Sequence, residues 1–461
     1  MRAPHANVVL LSVDTWRADH LSLYGYGRAT TPGLEQLATD AIVFDRAFSA
    51  APQTAPSHMS MLTGVPPLVH GVVNPDATKG LRTLAPSIHT LAETFKAHGY
   101  RTAGFTASGN VRRLFGFARG FDQFHEDRVG GMNGNGPYSL DPQGVTWWLA
   151  QARTRPEPFF LFLHTYVPHT PYLPPPPYDT RYDPDYRGAI PSNRAAFFRQ
   201  LPATRGPIEV SAFFEFFRHV DKQSPADIRH LIALYDGECN AADDAIVAIR
   251  RAIADAGVAD RTIFILTSDH GEEFLEHGAL IHPGELWDEL LHVPLVVTTP
   301  AGRGDGRHIA APVGGLDIVP TILDLVGLPP DPQALGRSLV PLMQSDPTWT
   351  DRPVLSEFLG GAASAPQVPE AMQSLRSLRT GRHKLIRRFG AHPSDELYDL
   401  EVDPGEHRNV VDDPNAASVL ARLRTTSDTI DRMEASLRAP GTEVPLSEST
   451  LSELRALGYV R

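Results

Sequence analysis

Cysteine is almost absent from this sequence, and its scarcity excludes two kinds of scaffold. The 461 residues include one cysteine, Cys239. A single thiol can form no internal disulfide, and it cannot supply a cysteine-based zinc site. Hydrophobic residues make up 42% of the chain, which is enough to build a sizeable core without such cross-links.

Excess positive charge and long apolar runs are also lacking. The 42 Lys and Arg residues are outnumbered by 54 Asp and Glu residues, so the formal net charge is −12. This balance argues against nonspecific nucleic-acid binding, which requires cationic side chains to neutralise phosphates. No uncharged apolar run has membrane-spanning length. The opening "MRAPHANVVLLSVD" enters a strand too soon for a signal peptide, so we expect a cytoplasmic protein.

Strand-like and helix-like segments alternate over the first three quarters of the chain. The run "NVVLLSVD" at 7–14 is continuously apolar and ends in an acid, which is typical of a parallel strand buried on both faces. The segment 90–108 reads as a helix followed by a strand. Further strands are expected within 158–169 and 261–273, and a long amphipathic helix within 227–257. This alternation predicts an α/β fold with a mostly parallel central sheet flanked by helices.

The alternation stops near residue 346, which suggests a domain boundary. We assign 1–345 to a catalytic α/β domain and 346–461 to a small C-terminal α+β subdomain. The subdomain should contain short antiparallel strands and two helices, and it should close one side of the active-site cleft. The Pro- and Tyr-rich segment 172–188 is either a binding loop or a stiff surface connection, and 172–225 is a candidate lid.

Acids and histidines stand at the carboxyl ends of three predicted strands. Asp14 ends the first strand, Asp269 and His270 end the strand at 261–273, and His164 and His169 lie at the end of another. Ligands gather beyond the carboxyl ends of parallel strands, and carboxylate and imidazole groups suit a divalent cation. An isolated acid after a strand is more often a helix cap or a solvated loop residue. Two acids and a histidine at neighbouring strand ends favour a metal site.

Thr54 opens the stretch "TAPSHMSMLTG", a turn followed by a helix-like run. Its hydroxyl has two interpretations. It could be the N-cap of an ordinary helix, a position for which threonine is a preferred residue. It could instead complete the metal shell, and a bound ion would then lower its pKa and make it a competent nucleophile. The neighbouring ligand set favours the nucleophile.

Motifs along nearly the whole chain resemble the sulfatase branch of the alkaline phosphatase superfamily. They include "SVDTWRADHLSLYGYGRATTPGLEQLA", "TAPSHMSMLTGVPPLVHGVVN", "FLHTYVPHTPY", "TSDHGEEFLEHG" and "ELYDLEVDPGEHRN". Any one motif is weak, but together and in this order they are highly specific. The resemblance implies an alkaline phosphatase-like fold, hydrolysis of a small anionic ester, and one divalent metal ion such as Mn, Zn, Ca or Mg.

The resemblance also assigns individual residues. Asp14, Asp269 and His270 match the metal ligands of the family, and Thr54 occupies the nucleophile position. The positions where related enzymes contact substrate are occupied here by His58, Asn74, Asn110, His169 and His282. His282 stands where a lysine is frequent, and either His169 or His282 could protonate the leaving group. His164 and His277 are grouped with the substrate-binding residues, either as supporting partners or as structural residues.

The sequence departs from the family at the nucleophile itself. Formylglycine sulfatases carry Cys or Ser at the first position of C/S-x-P-S-R, whereas Thr54 and His58 stand at the first and last positions here. A threonine cannot become the formylglycine aldehyde, but related folds that act on phosphorus use an unmodified threonine. Two-metal relatives have D-x-x-x-H where this chain has Asp236 and Asn240, so one metal is the better interpretation.

Two functions follow from these observations. The leading hypothesis is a metal-dependent hydrolase of phosphodiesters, phosphonate monoesters or sulfate esters that works through a Thr54 covalent intermediate, with phosphorus esters favoured. The alternative is a catalytically inactive sulfatase-like protein that binds a sulfated or phosphorylated ligand. Loss of the formylglycine residue favours the alternative, and retention of the metal ligands opposes it.

Overall fold

The computed structural model describes the chain except for a set of short gaps. The residues outside the description are 74–80, 108, 127–141, 194, 196, 198–214, 301–303, 361–373, 391, 439–441 and 445–461. Asn74 falls in the first of these gaps, so its predicted substrate contact lies outside the described residues. The second helix expected near the end of the chain would fall in the last gap.

The strands lie close to where the sequence predicts them. In chain order they are β1 (Asn7–Val13), β2 (Ile42–Phe48), β3 (Leu81–Thr83), β4 (Arg101–Thr106), β5 (Gln123–Glu126), β6 (Phe159–Thr165), β7 (Thr262–Ser268), β8 (Glu273–Phe274), β9 (Leu280–Ile281), β10 (His292–Thr298), β11 (Arg307–Ile309), β12 (Val313–Gly314), β13 (Val354–Phe358), β14 (Ser374–Arg379), β15 (His383–Phe389), β16 (Ser394–Asp399) and β17 (Thr442–Val444).

The α-helices in the described residues surround these strands. They are α1 (Pro32–Ala38), α2 (Thr54–Thr63), α3 (Pro67–His70), α4 (Leu91–Ala97), α5 (Pro142–Ala152), α6 (Pro225–Asp255), α7 (Asp288–Leu291), α8 (Ile318–Leu325), α9 (Val340–Met343) and α10 (Ala417–Leu437). Among these described helices, none is both long and apolar enough to cross a membrane.

A nine-stranded sheet forms the centre of the molecule. Its order is β11-β2-β10-β7-β1-β6-β4-β5, and β12 also pairs with β2. Strand β1 pairs in parallel with β6 and β7, and β4 pairs in parallel with β5 and β6. Strand β10 runs antiparallel to both of its neighbours, β2 and β7. The predicted mostly parallel sheet is therefore confirmed, with one reversed strand that the alternation did not reveal.

Helices cover both faces of this sheet because its central strands are apolar on both sides. All seven residues of β1 are buried. Val8 and Leu10 pack on one side with residues of α2, α4 and α8, and Val9 and Leu11 pack on the other with residues of α1, α5 and α6. The two-sided burial predicted from "NVVLLSVD" is thus the actual packing, and it holds the carboxyl ends of the strands at one edge.

The Pro- and Tyr-rich segment is fastened to helix α6 over its described part. Leu173 donates its backbone N–H to Glu238 Oε1 at 2.8 Å, and Arg181 donates to Asn240 Oδ1 at 2.7 Å. The ring of Tyr186 stacks on His230 with centroids 3.7 Å apart. These contacts favour the stiff connection over a free loop for 172–193. The lid interpretation of the whole segment 172–225 stays a prediction.

The C-terminal part forms an antiparallel sheet in the order β13-β14-β15-β16, as the sequence predicts for its strands. Strand β13 contacts the loop that leads to Thr54, since Glu357 donates its N–H to Ala50 O at 2.8 Å and Ser356 Oγ donates to Ser49 O at 2.6 Å. This position beside the loop that leads to Thr54 is compatible with the predicted cleft-closing role. The boundary at residue 345 and the closing role itself stay predictions.

A buried ion cluster also ties this sheet to the main body. Lys384 on β15 is fully buried, and its Nζ lies 2.8 Å from Asp288 Oδ1 at the start of α7 and 2.8 Å from Glu406 Oε1. The carboxylates raise the pKa of Lys384 against the opposing effect of burial, so the ammonium stays charged. A buried ion that loses its partner is costly.

We therefore expect Lys384→Ala to reduce the free energy of unfolding by about 3–5 kcal/mol, because Asp288 and Glu406 would lose a buried counter-charge. Chemical denaturation measures this loss. The matched control is Lys96→Ala, which removes an ion pair between half-exposed side chains, Lys96 and Asp122, and should cost less than about 1 kcal/mol. Equal losses in the two variants would contradict the buried-cluster account.

Candidate active site

Two neighbouring strands bring the predicted metal ligands together. Val13 at the end of β1 pairs with Ser268 at the end of β7, so Asp14 and Asp269 follow side by side. One ligand atom each from Asp14, Asp269 and His270 lies within 4.8 Å of the others, and all three residues are buried. Parallel pairing and strand length alone create this convergence, as the sequence pattern predicts.

Whether these three side chains fit a metal ion depends on which of their atoms could bind one. Asp14 Oδ1 and Asp269 Oδ2 are buried and have no hydrogen-bond partner among the described residues. His270 donates Nδ1–H to Gly271 O at 2.9 Å, which leaves the Nε2 lone pair free. Nε2 lies 3.4 Å from Asp269 Oδ2 and 3.9 Å from Asp14 Oδ1. Two carboxylate oxygens without a hydrogen-bond partner in the described residues and one imidazole nitrogen, whose neighbour is the Thr54 hydroxyl, form a donor set that suits a divalent cation.

The buried carboxylates of Asp14 and Asp269 need a nearby positive charge to stay ionised. Burial raises the pKa of Asp14 well above its ordinary value, and the negative charges of Asp269 and Glu272 raise it further. Burial likewise raises the pKa of Asp269 to about 6. Burial lowers the pKa of His270 to about 3, so its imidazole is neutral. A divalent cation would offset the free-energy cost of burying the two carboxylates in their charged form, and it could bind the neutral imidazole.

Thr54 stands at the same edge as the first residue of α2. The N-cap is Gln53, and its side chain makes no capping hydrogen bond. Thr54 is fully buried, and its Oγ1 lies 3.3 Å from His270 Nε2. The side chain is therefore directed at the ligand group, which favours the nucleophile interpretation over the cap.

His58 occupies the last position of the motif in which relatives have arginine. Its Nδ1 is 2.9 Å from Thr54 O, one turn earlier in α2, and 3.3 Å from Asp269 Oδ2. Its Nε2 is 2.9 Å from Ser12 Oγ. The carbonyl fixes the proton on Nδ1, so Nε2 accepts from the serine. Burial lowers the pKa of His58, so a neutral ring stands where a permanent cation is expected.

Three more of the predicted histidines, His164, His169 and His282, form one cluster with His58 and His270. The ring centroid of His58 lies 4.7 Å from that of His164, His169 lies 5.2 Å from His282, and His282 lies 4.6 Å from His270. Tyr166 connects the two halves, with its centroid 4.9 Å from His164 and 5.4 Å from His169. We call these five histidines the histidine cluster: His58, His164, His169, His270 and His282.

Asn110 lies beside this cluster. Its backbone N–H donates to the Tyr166 hydroxyl at 2.7 Å. Both polar atoms of its side-chain amide are buried without a hydrogen-bond partner in the described residues. A buried amide without partners is costly, and a bound substrate could satisfy it. The predicted substrate contacts of Asn110, His169 and His282 are compatible with this position.

The sequence reading missed two residues of the site, Glu272 and Tyr172. Glu272 is fully buried, and its Oε1 accepts a hydrogen bond of 2.5 Å from His282 Nδ1. Its other oxygen accepts a hydrogen bond from the Tyr172 hydroxyl. Glu272 lies within the quoted motif "TSDHGEEFLEHG", but nothing in the motif shows that His282 folds back onto it. Together the two residues fix the orientation of the His282 ring.

The described contacts of His277 are packing contacts, which favours the structural alternative, and its grouping with the substrate-binding residues stays a prediction. Its Nδ1 is 2.5 Å from Glu289 Oε1, and its ring stacks on Trp287 with centroids 4.2 Å apart. Glu289 raises its pKa against the opposing effect of burial. These partners lie where the main sheet meets the C-terminal sheet, since Trp287 packs with Tyr398.

Asp236 belongs to a separate ion-pair cluster. Its Oδ1 is 2.8 Å from His20 Nδ1, and its Oδ2 is 2.7 Å from Arg28 Nη1 and 2.8 Å from the Tyr26 hydroxyl. Both oxygens are thus occupied by protein donors. Among the described residues the Asp14, Asp269 and His270 group is the one set of ligand atoms that could hold a metal ion. The predicted single metal agrees with this arrangement.

Comparison of the sequence with known proteins assigns the chain to a family. The family profile described as Sulfatase matches residues 6–328, and that described as N-sulphoglucosamine sulphohydrolase, C-terminal, matches residues 276–432. The chain is 25% identical to the multifunctional alkaline phosphatase superfamily protein PehA of Trinickia caryophylli, over 90% of this chain and 93% of that protein. It is 26% identical to arylsulfatase K of Gallus gallus, over 88% of this chain and 78% of that protein.

A solved structure shares the fold. The phosphonate monoester hydrolase of Agrobacterium radiobacter superposes with a TM-score of 0.71 at 22% identity, covering 93% of this chain and 96% of that one. The predicted alkaline phosphatase-like architecture with a C-terminal antiparallel sheet is confirmed. At 22% identity the likeness establishes the fold alone, so the chemistry has to be argued from the residues of the site.

The ligand geometry predicts what happens when one carboxylate is removed. Asp269→Ala should bind no stoichiometric divalent ion, because two donors remain where three converge. Metal content after dialysis, measured by elemental analysis, gives the result. The matched control is Asp236→Asn, which changes an equally buried carboxylate in the separate ion-pair cluster and should keep the wild-type metal content. Full metal occupancy in the Asp269 variant would contradict the assigned ligand set.

Proposed function

This protein belongs to the sulfatase family of the alkaline phosphatase superfamily and is an ester hydrolase, and we propose that it cleaves phosphodiesters or phosphonate monoesters through Thr54. The observation that carries this proposal is the Thr54 hydroxyl, which lies 3.3 Å from His270 Nε2 at the convergence of the metal-ligand atoms. The family profile and the convergent ligand atoms weigh against the inactive, ligand-binding alternative. Cytoplasmic residence remains part of the proposal.

Thr54 is placed to act as a nucleophile. A divalent cation held by Asp14, Asp269 and His270 would lower the pKa of the hydroxyl and offset the charge of the substrate oxygens. The hydroxyl sits on the first residue of α2, so the partial positive charge of the helix N-terminus also favours an anion there. The Thr54 hydroxyl would give its proton to the neutral His282 Nε2, and its oxygen would attack phosphorus to form a threonyl ester. The bond from phosphorus to the leaving oxygen would break as the imidazolium protonates that oxygen, and the alcohol would leave.

The histidine cluster supplies the proton for the leaving group, and His282 is the better placed donor. Glu272 accepts its Nδ1–H, so Nε2 is the nitrogen that remains for the substrate. Burial lowers the pKa of His282 to about 4, so the resting imidazole is neutral. The hydrogen-bonded Glu272 carboxylate would stabilise the imidazolium once the ring has taken up a proton. His169 donates Nδ1–H to Thr170 O at 2.7 Å, and a carbonyl stabilises an imidazolium less than a carboxylate does. His169 is therefore assigned to holding the substrate.

The second half of the reaction returns the enzyme to its starting state. After the alcohol has left, water would attack the phosphorus of the threonyl ester, and neutral His282 would accept its proton at Nε2. The bond between phosphorus and the Thr54 oxygen would then break, the imidazolium would return its proton to that oxygen, and the acid product would leave. The same histidine serves first as base and then as acid in each step.

The charge of the site favours esters with a single negative charge. One dication and the two ligand carboxylates sum to zero, and the buried Glu272 carboxylate adds no positive charge. His58 is neutral where formylglycine sulfatases have arginine. The Arg17 guanidinium is committed to Asp19 at 2.8 Å and Glu276 at 2.6 Å. A doubly charged phosphomonoester would place excess negative charge in a buried pocket. Phosphodiesters, phosphonate monoesters and sulfate esters all meet the charge condition.

The identity of the nucleophile distinguishes phosphorus esters from sulfate esters as substrates. A formylglycine hydrate can expel sulfate by collapsing to an aldehyde, without attack at sulfur. A threonyl sulfate has no such exit, whereas a threonyl phosphoester or phosphonate can be attacked at phosphorus by activated water. Thr54 therefore favours phosphorus esters.

A substrate panel tests the proposal directly. We expect kcat/KM for bis-p-nitrophenyl phosphate and p-nitrophenyl phenylphosphonate to exceed the values for p-nitrophenyl phosphate and p-nitrophenyl sulfate. Thr54→Val, which keeps the shape of the side chain but removes the hydroxyl, should lower turnover by about 10⁴-fold or more. Efficient sulfate ester turnover by the unmodified protein, or undiminished activity in the valine variant, would falsify the proposal.

The leaving-group assignment makes a separate prediction for His282→Gln. An alkyl ester needs protonation of its leaving oxygen, whereas p-nitrophenolate leaves readily as an anion. We expect kcat for an alkyl phenylphosphonate to fall by about 10²–10⁴-fold, and the p-nitrophenyl ester to be affected much less. His169→Gln serves as the comparison and should mainly raise KM. Equal losses on both esters in the His282 variant would contradict its role as the proton donor.

A further inference from the structure

His164 is a fully buried histidine on strand β6, directly beside the metal-ligand group. Strand pairing sets it opposite Ser12 of β1, two residues before Asp14. Its Nε2 lies 3.3 Å from Asp14 Oδ2, and its exposed fraction is zero. Its Nδ1 has no hydrogen-bond partner within the described residues. A buried imidazole is costly unless its polar atoms are bound, so the contact with Asp14 is what accounts for a histidine here.

The two metal carboxylates are each held at one oxygen and free at the other. Asp269 Oδ1 accepts hydrogen bonds from the backbone N–H of Thr15 at 3.2 Å and of His270 at 2.9 Å, and its Oδ2 has no hydrogen-bond partner among the described residues. For Asp14, Oδ1 is the atom without a hydrogen-bond partner in this part of the chain, while Oδ2 faces His164. Two backbone donors thus orient Asp269, but a side chain, His164, performs this task for Asp14.

We propose that His164 is a positioning residue of the metal site, which donates Nε2–H to Asp14 Oδ2 so that Oδ1 faces the cation. The inference rests on the proposed metal site and adds a residue whose effect is on metal affinity. An anionic carboxylate can only accept, so the proton must lie on Nε2 of His164. Groups that orient metal ligands in this way commonly contribute about 10–100-fold to metal affinity.

The neighbours of His164 make this orientation rigid. Its ring packs edge-on against His58 at 4.7 Å and against Tyr166 at 4.9 Å. The backbone on either side is fixed by the sheet, since Asp14 donates its N–H to Thr165 O at 2.9 Å. The hydrogen bond therefore joins two elements that cannot shift independently, which is what a preorganised ligand requires.

Metal affinity of the full chain tests the inference without reference to ester hydrolysis. The dissociation constants of Zn²⁺ and Mn²⁺ are measured by competition with a chromophoric chelator for the wild type, His164→Leu and His164→Gln. The leucine removes the donor, and we expect its dissociation constant to rise by about 10–100-fold. The glutamine amide places an N–H close to the position of Nε2, so its affinity should lie near that of the wild type.

The matched control is His70→Leu. His70 is equally buried, but it contacts Ser60 Oγ at 3.1 Å and Pro56 O at 3.2 Å and belongs to no ligand group. Its loss should lower stability and leave metal affinity unchanged. Unchanged affinity in His164→Leu, or equally weak affinity in the leucine and glutamine variants, would overturn the inference while the metal site stands. A wild-type protein that binds neither ion would overturn the proposed metal site as well.

Discussion

Two carboxylates buried side by side, Asp14 and Asp269, are the constraint on which the rest of the site depends. The pairing of β1 with β7 places them together, and neither is exposed. Burying even one ion costs several kcal/mol, and two of the same sign repel each other as well. Backbone N–H groups hold the Asp269 carboxylate in place, so the side chain cannot turn away to relieve the repulsion from Asp14. A divalent cation is the compensation that suits both the charge and the free ligand atoms.

The neutral histidines around the two carboxylates affect which substrate charge the site would accept. Burial lowers the pKa of His58, His164, His169 and His270, so the cluster adds polar contacts without adding charge. In a formylglycine enzyme an arginine stands at the position of His58. Replacing that cation with a neutral ring makes the site less attractive to doubly charged substrates. In the proposed function, the changes at Thr54 and His58 therefore act in the same direction, toward singly charged phosphorus esters.

Much of the fold and the centre of the site could be predicted because local patterns determine them. Apolar runs that end in acids placed β1 and β7, and sheet geometry then required Asp14, Asp269 and His270 to converge. The reversed direction of β10 could not be read from its sequence, since an apolar run looks the same in either direction. Glu272 and Tyr172 were missed because their contact with His282 depends on the path of the chain. The two alternatives for His277 could not be separated, because a supporting histidine and a histidine stacked on Trp287 look alike in sequence.

The stereochemical course at phosphorus tests the central claim, catalysis through Thr54, most directly. A phosphorothioate diester of known configuration is hydrolysed in isotopically labelled water, and the configuration of the chiral product is determined. Two successive in-line displacements, first by the Thr54 oxygen and then by water, each invert the centre, so the account predicts net retention. Net inversion would show that water attacks the substrate directly, and it would leave Thr54 with no role as the nucleophile.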